Sequence, residues 1–212
     1  MQKLAGKKMN AEAIKKLAKQ TIEIERDAVG SLISRVDDNF VKAAETIKCC
    51  KGKLVIIGMG KAGHVGEKLA ASFSSLGSPS FFMHPAEAVH GDLGMVAKSD
   101  VILAISNSGG TKEVLNLIPT IKKIGAPIIS IVGNTNSVLA KESDIVLDAS
   151  VEREADPLNL APTASSTAEL ALGDALAVAV SQAKCFTAKD FACLHPGGKL
   201  GEKLLGNSSL NK

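Results

Sequence analysis

The chain contains no tryptophan and no tyrosine, and only six phenylalanines among its 212 residues. It therefore lacks the aromatic side chains on which the bases of single-stranded nucleic acids stack. The formal net charge is only +3, and the lysines are scattered rather than gathered in one patch. Nucleic-acid binding normally requires such a basic patch. We predict that the chain has no nucleic-acid partner.

Long apolar runs are also missing. No stretch approaches the roughly 20 residues that a membrane-spanning helix needs. The N-terminus, MQKLAGKKMNAEAIKK, is charged and is not followed by the apolar core of a secretory signal. The four cysteines show no CxxC spacing, which favours reduced thiols used as small apolar residues. We expect a cytoplasmic protein with no membrane partner.

The first 50 residues have a helical pattern. Between residues 11 and 50, apolar residues recur on one stripe, which comprises Ile14, Ala18, Ile22, Val29, Ile33 and Val36. We predict that residues 1–50 form an N-terminal helical segment, with one long helix and a weak point at Gly30. This stripe packs on the domain that follows, contacts a second subunit, or does both.

Residues 51–212 are predicted to form one α/β domain. Short apolar runs alternate with helical segments, at 61–76, 111–124 and 163–184. The runs are LVIIG (54–58), SFFM (80–83), DVILAIS (100–106), PIISIVG (127–133) and DIVLD (144–148). Continuous apolar strands between helices are typical of a parallel sheet that is covered on both faces. The expected fold is doubly wound and flavodoxin-like, with five mostly parallel strands.

The first strand runs into a glycine turn, LVIIGMGKAGHVG, with Gly58, Gly60 and Gly63 at the spacing of the dinucleotide-binding fingerprint. That fingerprint also needs an acidic residue at the end of the second strand, to hold a ribose hydroxyl. Here the nearest acid, Glu87, lies beyond a proline that stops the strand. Lys61 stands inside the turn, where a cation opposes the helix dipole unless an anion is bound. We therefore predict an anion site and no nicotinamide cofactor.

The third strand ends in a loop suited to phosphate. Its sequence, SNSGGT (106–111), brings three hydroxyls, an amide and two glycines to the start of a helix. Such a site offers side-chain donors, backbone N–H groups and a favourable dipole. The P-loop spacing is absent, so a small phosphate ester is favoured over a nucleoside triphosphate. Both loops follow strands expected to be neighbours, at the edge where open α/β sheets bind ligands.

Five segments together resemble the sugar isomerase (SIS) domain family, and within it the arabinose-5-phosphate isomerase branch. They are GMGKAGHVG (58–66), FFMHPAEAVHGDLGM (81–95), AISNSGGTKEV (104–114), LAPTASSTAELALGDALAVAV (160–180) and FACLHPGGKLGEKLL (191–205). They cover most of residues 50–205. The SNSG loop marks the whole superfamily, whereas the HGDLGM and HPGGKLG segments are more specific to this branch.

The resemblance implies roles for particular residues. The substrate phosphate is held by Ser106, Asn107, Ser108 and Thr111. The catalytic region includes Lys61, His90, Glu113 and His195. Three further residues of the matching segments are assigned to substrate binding, namely Gly60, Thr163 and Ser165. The family also implies a homotetramer that acts on a phosphosugar.

The implied reaction interconverts D-arabinose 5-phosphate and D-ribulose 5-phosphate through a cis-enediol, for Kdo or capsule-type sugars. It needs a phosphate anchor, groups that titrate near neutrality, and a donor for the enediolate oxygen, but no cofactor. Glu113 is a candidate for the base at C2, His90 for a proton relay, and Lys61 for the oxyanion donor. A metal-dependent route through His84, Glu87, His90 and Asp92 is the rival, but their spacing is no recognised metal set, and we predict no metal.

The chain departs from the family pattern in two ways. Gly110 stands where many relatives have an acidic residue, which leaves the substrate preference open. The well-known members also append a pair of CBS domains, whereas this chain stops soon after Leu205. We expect a single-domain form, in which a nucleotide-sugar feedback inhibitor would bind the isomerase domain itself. The alternatives are an isomerase of another phosphosugar, such as a hexulose or heptose phosphate, and a non-catalytic phosphosugar sensor.

Overall fold

The computed structural model describes residues 9–196. Its strands are β1 (Leu54–Gly58), β2 (Ser80–Phe82), β3 (Val101–Ser106), β4 (Ile128–Val132) and β5 (Ile145–Asp148). Its helices are α1 (Ala11–Ser31), α2 (Asp38–Cys49), α3 (Gly60–Ser75), α4 (Pro85–Ala88), α5 (Lys112–Leu115), α6 (Ile118–Ile124), α7 (Val138–Glu142), α8 (Ala164–Ala183) and α9 (Ala188–Leu194). Short 3₁₀ turns lie at Leu32–Arg35 and Asp92–Met95.

The five strands form one sheet in the order β2-β1-β3-β4-β5, and every pairing is parallel. This is the strand order of flavodoxin-like folds, so the predicted fold class is confirmed. The winding reverses between β1 and β3, because β2 lies to one side of β1 and the later strands lie to the other. Ligands of such sheets bind in the crevice at that reversal, beyond the carboxyl ends of the strands.

Alternate residues of the strands contribute to two separate hydrophobic cores, one on each face of the sheet. In β1, Leu54 and Ile56 face one core, while Val55 and Ile57 face the other. The first core is covered by α2, α3 and α8, and the second by α4, α5, α6 and α7. Strands β1, β3 and β4 are therefore fully buried between helical layers, whereas the edge strands β2 and β5 are mostly half-buried. The predicted segment 193–205 is described only as far as Pro196, and its remainder lies outside the described residues.

The prediction of one long N-terminal helix is wrong. Helix α1 ends at Ser31, and α2 begins at Asp38 after a short 3₁₀ turn. The side chain of Asp37 caps α2, because it accepts hydrogen bonds from the backbone N–H groups of Asn39 (2.9 Å) and Phe40 (3.2 Å). An aspartate is a strong N-cap, and Gly30 is a weak helix former. The chain therefore breaks between them.

Most of the predicted apolar stripe lies away from the contact between α1 and the core, with Val29 as its half-buried member. Helices α1 and α2 pack against α8, and α1 has its half-buried residues at Leu17, Ile24 and Ala28, among others. The stripe residues Ile14 and Ile22 remain 55% and 67% exposed in the single chain. Packing on the core therefore uses a different face, and the exposed stripe is left for another contact. The division of the chain at residue 50 stays a prediction.

The helix predicted at 111–124 is two helices. It divides into α5 and α6 around Asn116 and Leu117. Pro119 stands in the first turn of α6. A proline has no N–H to bond to the preceding turn, and it fits the start of a helix better than the middle. The break leaves α5 as a single turn directly after the phosphate loop.

Close packing of α3 on α8 depends on Gly173. A Cβ atom at this position would lie 2.3 Å from Cδ1 of Leu69, a residue with no solvent exposure. We predict that Gly173→Ala lowers the free energy of unfolding by about 1–2 kcal/mol, since overpacking outweighs the gain in helix propensity. Urea denaturation at equilibrium measures this change.

Gly30→Ala is the matched control, because Gly30 is also helical but has nothing within 4 Å of its added methyl group. This substitution should raise the free energy of unfolding by about 0.5–1 kcal/mol. Equal effects of the two substitutions would contradict the packing argument.

Candidate functional site

A cavity of about 230 Å³ opens at the carboxyl ends of β1 and β3, where the strand order reverses. Three parts of the chain form it: the turn after β1, the loop after β3 and the beginning of α8. The residues that line it are Met59, Lys61, Ala62, Ser106, Asn107, Ser108, Thr111, Pro162, Ser165 and Glu169. It therefore has one cationic side chain, one carboxyl group and a wall of hydroxyl and amide groups.

The turn after β1 presents Lys61. Gly60 adopts a left-handed conformation with φ of 58°, which favours glycine, and it is the first residue of α3. The chain thus bends sharply out of the sheet, and Lys61 follows on the cavity wall. Gly60 itself does not line the cavity. A lysine at the start of a helix, beside donors, provides positive charge where an anion is expected.

The loop after β3 is held by its own hydrogen bonds. The backbone N–H of Gly109 donates to the hydroxyl oxygen of Ser106 over 3.1 Å, and the N–H of Gly110 donates to that of Ser108 over 3.2 Å. The hydroxyl oxygens of Ser106 and Thr111 lie 2.9 Å apart. In the Ser106–Thr111 pair one hydroxyl donates to the other, so the O–H group of Ser108 and one O–H group of that pair are left to donate to a ligand.

Neighbouring elements fix this loop from behind. Gly109 has φ of 59°, and a Cβ atom there would lie 2.0 Å from Oγ of Ser137. The carbonyl of Gly109 accepts from the N–H of Leu139 at 3.0 Å, and the carbonyl of Asn107 accepts from the N–H of Gly133 at 2.9 Å. The loop is therefore pre-organised by contacts to β4 and α7 before any ligand arrives.

The first turn of α8 forms the third wall of the cavity. Hydrogen bonds to Glu154 hold this turn in place. One carboxylate oxygen of Glu154 accepts from the N–H (2.8 Å) and hydroxyl (3.1 Å) of Thr163 and from the N–H of Ser165 (3.2 Å). Burial acts to raise the pKa of Glu154, but the hydrogen bonds from Ser165 and Thr163 outweigh it, so the pKa is lowered. Thr163 acts in this cap and does not line the cavity, whereas Ser165 does.

Sequence reasoning missed Glu169. Glu169 is 2% exposed and lines the cavity, and its Oε1 atom has no hydrogen-bond partner within residues 9–196. Burial and then repulsion by Glu154 raise the pKa of Glu169 to about 8. One signal was available. Glu169 follows Ser165 by four residues on a predicted helix, so it shares the face of a residue already assigned to the substrate.

Two of the four predicted catalytic residues, Glu113 and His90, do not line the cavity. Glu113 is the second residue of α5, directly after the phosphate loop, and its side chain is exposed. His90 lies on an exposed turn after α4, where its backbone N–H donates to the carbonyl of Glu87 at 2.9 Å. Their predicted catalytic roles stay predictions.

His195 lies far from the cavity of its own chain. Its Nε2 atom is 3.2 Å from Oγ of Ser75, its Nδ1 atom is 2.8 Å from the carbonyl of Phe191, and its ring stacks on that of Phe191. Ser75 is the last residue of α3, whereas Lys61 is the second. Fourteen residues of helix span about 20 Å. Within one chain, His195 therefore cannot reach a ligand beside Lys61.

Within residues 9–196, no three histidine, cysteine, aspartate or glutamate side chains come close enough together to share a metal ion. The rival cluster of His84, Glu87, His90 and Asp92 is therefore not assembled by the fold. None of the helices in the described part of the chain is both long and apolar enough to cross a membrane.

The fold and the cavity together define an α/β domain of flavodoxin-like topology, with a polar cavity at the reversal of its sheet. Residues 46–179 match the SIS domain. The chain therefore belongs to the SIS domain family, as its motifs suggested. The match begins inside α2 and ends inside α8, so it includes all five strands and every residue that lines the cavity.

Several relatives have known names or structures. The chain is 58% identical over 188 residues to the arabinose 5-phosphate isomerase KdsD of Pseudomonas aeruginosa, and 53% identical over 187 residues to that of Escherichia coli K12. These alignments cover 89% and 88% of this chain but 58% and 57% of the relatives. The chain thus spans little more than half the length of the curated relatives it matches.

A solved structure is similar over its whole length. It is that of Escherichia coli CFT073 c3406 in complex with A5P, with 46% identity and a TM-score of 0.85. The alignment covers 89% of this chain and all of that one. A putative sugar-phosphate isomerase from Listeria monocytogenes is 39% identical with a TM-score of 0.86, again over its whole length.

The buried carboxyl group of Glu169 should make stability depend on pH. Its pKa is about 8 in the folded chain against 4.5 for an ordinary glutamate, so the folded state holds a proton that the unfolded state loses. Stability from this group is complete below pH 4.5 and is lost as the pH rises to 8. Relative to Glu169→Gln, the wild type should lose about 4 kcal/mol of unfolding free energy between pH 5 and pH 9.

Urea denaturation of both proteins at pH 5, 7 and 9 measures this difference. Glutamine has the same shape and no charge, so it serves as the reference for all other titrating groups. Parallel pH profiles for the two proteins would mean that Glu169 is not held in its neutral form.

Proposed function

We propose that this chain is an aldose–ketose isomerase that interconverts D-arabinose 5-phosphate and D-ribulose 5-phosphate. The observation that carries the proposal is the cavity between β1 and β3, where Lys61 faces a loop of hydroxyl and amide donors. Its contents suit a phosphate ester. Two relatives more than half identical are named arabinose 5-phosphate isomerases, and a structure similar over its full length contains A5P. We further propose a cytoplasmic enzyme that supplies Kdo or capsule-type sugars.

The proposed reaction moves a carbonyl between C1 and C2 by proton transfer. A base removes the C2 proton to give a cis-enediol, and the proton returns at C1. The loop of Ser106, Asn107, Ser108 and Thr111 anchors the phosphate. Lys61 stabilises the developing negative charge on oxygen, as a fixed cation does in a partly enclosed site. Ser165 contacts the sugar from the third wall.

Glu113, His90 and His195 are proposed to complete the site. Glu113 follows the phosphate loop directly and is the candidate base, and His90 is the candidate relay. His195 needs a second copy of the chain, since its own cavity is some 20 Å away along α3. We therefore propose an oligomer, most simply the homotetramer that the family implies, in which His195 serves a neighbouring site.

Exposed apolar residues support such an assembly. Ile14 and Ile22 on α1 and Val178 on α8 are all more than half exposed in the single chain. Together with Ile33 (80% exposed) they supply apolar surface that a subunit contact would cover. A nucleotide-sugar inhibitor that binds the isomerase domain stays a prediction.

An isomerase assay after treatment with EDTA tests the proposed reaction. We expect turnover of D-arabinose 5-phosphate without added metal, and none of ribose, glucose or heptose phosphates. Glu113→Gln should lower kcat by about 10²–10⁴-fold, the usual contribution of a general base. Activity on another sugar phosphate alone would favour the alternative function, an isomerase of a different phosphosugar. Gly110 is the feature that supports this alternative.

If no sugar is turned over but one of them binds, the chain is a phosphosugar sensor. Wild-type turnover by Glu113→Gln would reassign the base. In either case the cavity keeps its binding role, and only the chemistry assigned to it changes.

Mixing two inactive variants tests the shared site. Lys61→Met and His195→Ala should each be inactive alone, because each removes one group from every site. When the two are co-expressed in equal amounts, about a quarter of the sites should combine an intact Lys61 with an intact His195 from a neighbour. We expect recovery of activity toward that fraction. Absence of recovery in oligomers shown to be mixed would place His195 outside the neighbouring site.

A further inference from the structure

Glu169 is the one carboxyl group among the residues that line the cavity. It lies one turn along α8 from Ser165, and Lys61 and the phosphate loop form the facing walls. Its side chain is 98% buried, and the Oε1 atom meets no hydrogen-bond partner among the described residues. Buried polar atoms are nearly always satisfied, so an oxygen left open toward a cavity needs an explanation.

A carboxylate in this place would conflict with the ligand. The other polar groups of the cavity are a lysine, three hydroxyl-bearing serines, a threonine and an amide, which together suit an anion. A second negative charge inside the same small cavity would repel a phosphate dianion strongly, because solvent screening is weak there. The conflict disappears if Glu169 carries a proton, since a neutral carboxylic acid has an O–H group to donate.

The charges around Glu169 favour that neutral form. Glu154, held ionised by its hydrogen bonds to the first turn of α8, repels a second negative charge and helps to raise the pKa of Glu169 to about 8. Lys61 is the cation that shares the cavity. On α8 itself, Asp174 is already paired with Lys68 of α3 at 2.5 Å.

The other helices that pack on α8 do not neutralise Glu169 either. The buried residues of α2 are Phe40, Ala43 and Ile47, all of them apolar. On α1, Asp27 shares a hollow with Glu152 and Arg153, and its carboxylate is paired with Arg26 at 2.7 Å. Burial and then repulsion by Glu154 therefore remain the causes that raise the pKa of Glu169.

We propose that Glu169 is a ligand-binding residue of this site, whose protonated carboxylic acid donates a hydrogen bond to an oxygen of the bound phosphate group. The proposal rests on the proposed phosphosugar function of the cavity and adds a residue to it. It makes binding of the anion depend on a proton held by the protein. Glu169 is then a donor and not the base at C2, because a bound dianion keeps it protonated.

Two variants at position 169, compared with the wild type, separate the effect of the hydrogen-bond donor from that of the charge. Isothermal titration with inorganic phosphate gives the affinity at pH 7, 8, 8.5 and 9.5 for the wild type, Glu169→Gln and Glu169→Met. Glutamine keeps a donor without an ionisable group, and methionine keeps the volume without a donor. At pH 7 we expect glutamine to bind within about threefold of the wild type and methionine about tenfold more weakly, the usual loss for a hydrogen bond to a charged group.

The pH dependence of the phosphate affinity is the decisive measurement. From pH 8 upward, the wild-type affinity divided by that of Glu169→Gln should fall about tenfold per pH unit, until the pKa of the liganded form is reached. This ratio removes the titration of phosphate and of every other group that the two proteins share. A ratio that stays constant from pH 7 to 9.5, or equal affinities of the Gln and Met variants, would overturn the proposal.

A measurement on the wild type alone covers the case in which the variants do not fold. Phosphate binding at pH 8.5 in buffers of different ionisation enthalpy gives the number of protons taken up. With a free-state pKa of about 8 for Glu169, we expect uptake of about three quarters of a proton. Uptake near zero would overturn the proposal.

These outcomes separate this proposal from the proposed reaction. Binding of phosphate without proton uptake would contradict the role proposed for Glu169 but would not affect the proposed isomerase reaction. Binding with proton uptake but without turnover of D-arabinose 5-phosphate would support the role proposed for Glu169 and contradict the proposed reaction. Absence of any phosphate binding by the wild type would overturn both.

Discussion

The parallel pairing of β1 with β3 is the contact on which the cavity depends. Their register sets Gly58 opposite Ile105, so both strands end at the same level of the sheet. The turn that carries Lys61 and the loop that begins at Ser106 therefore leave the sheet side by side. Since β2 lies on the far side of β1, no helix fills the space between these two loops. A site made of two loops far apart in sequence follows from that single pairing.

The glycines after β1 serve packing and direction, which explains why they resemble a dinucleotide fingerprint without its acidic residue. A Cβ atom on Gly63 would lie 2.9 Å from the carbonyl oxygen of Gly58, and one on Gly66 would lie 3.0 Å from the ring of Phe82. The glycines thus let α3 approach the sheet closely, while the left-handed Gly60 turns the chain. The same geometry serves any anion held beside the start of α3.

Most of the fold could be predicted from the sequence, because its signals are local. The strands are apolar runs bounded by glycine, proline or charge, and each was located to within a residue or so of its observed ends. The helix boundaries at Ser31 and around Pro119 were missed, since an apolar period continues across both breaks. There a local cap at Asp37 and a missing N–H at Pro119 override the pattern. The exposed stripe of α1 was misjudged because periodicity alone does not say which of two apolar faces meets the core.

The site was predictable only where chemistry and motif coincide. Lys61 and the loop of residues 106–111 stand out because their types suit an anion, and the structure brings them together. Glu169 did not stand out, because its meaning depends on burial, and burial depends on how α8 packs against α3 and α1. His195 shows the opposite limit, since its motif is evident in the sequence, whereas the fold places it beside Ser75, at the far end of α3 from Lys61.

The surroundings of Glu154 and Glu169, two glutamates of the same wall, favour opposite protonation states. Glu154 receives three hydrogen bonds from the start of α8, and these outweigh its burial and hold it ionised. Glu169 receives none at Oε1, is almost fully buried, and experiences the charge of Glu154. The negative charge of the wall thus lies on Glu154, outside the cavity lining, and not on Glu169, which is part of the lining. A wall that contains two acids can then face an anion, because only the outer acid is charged.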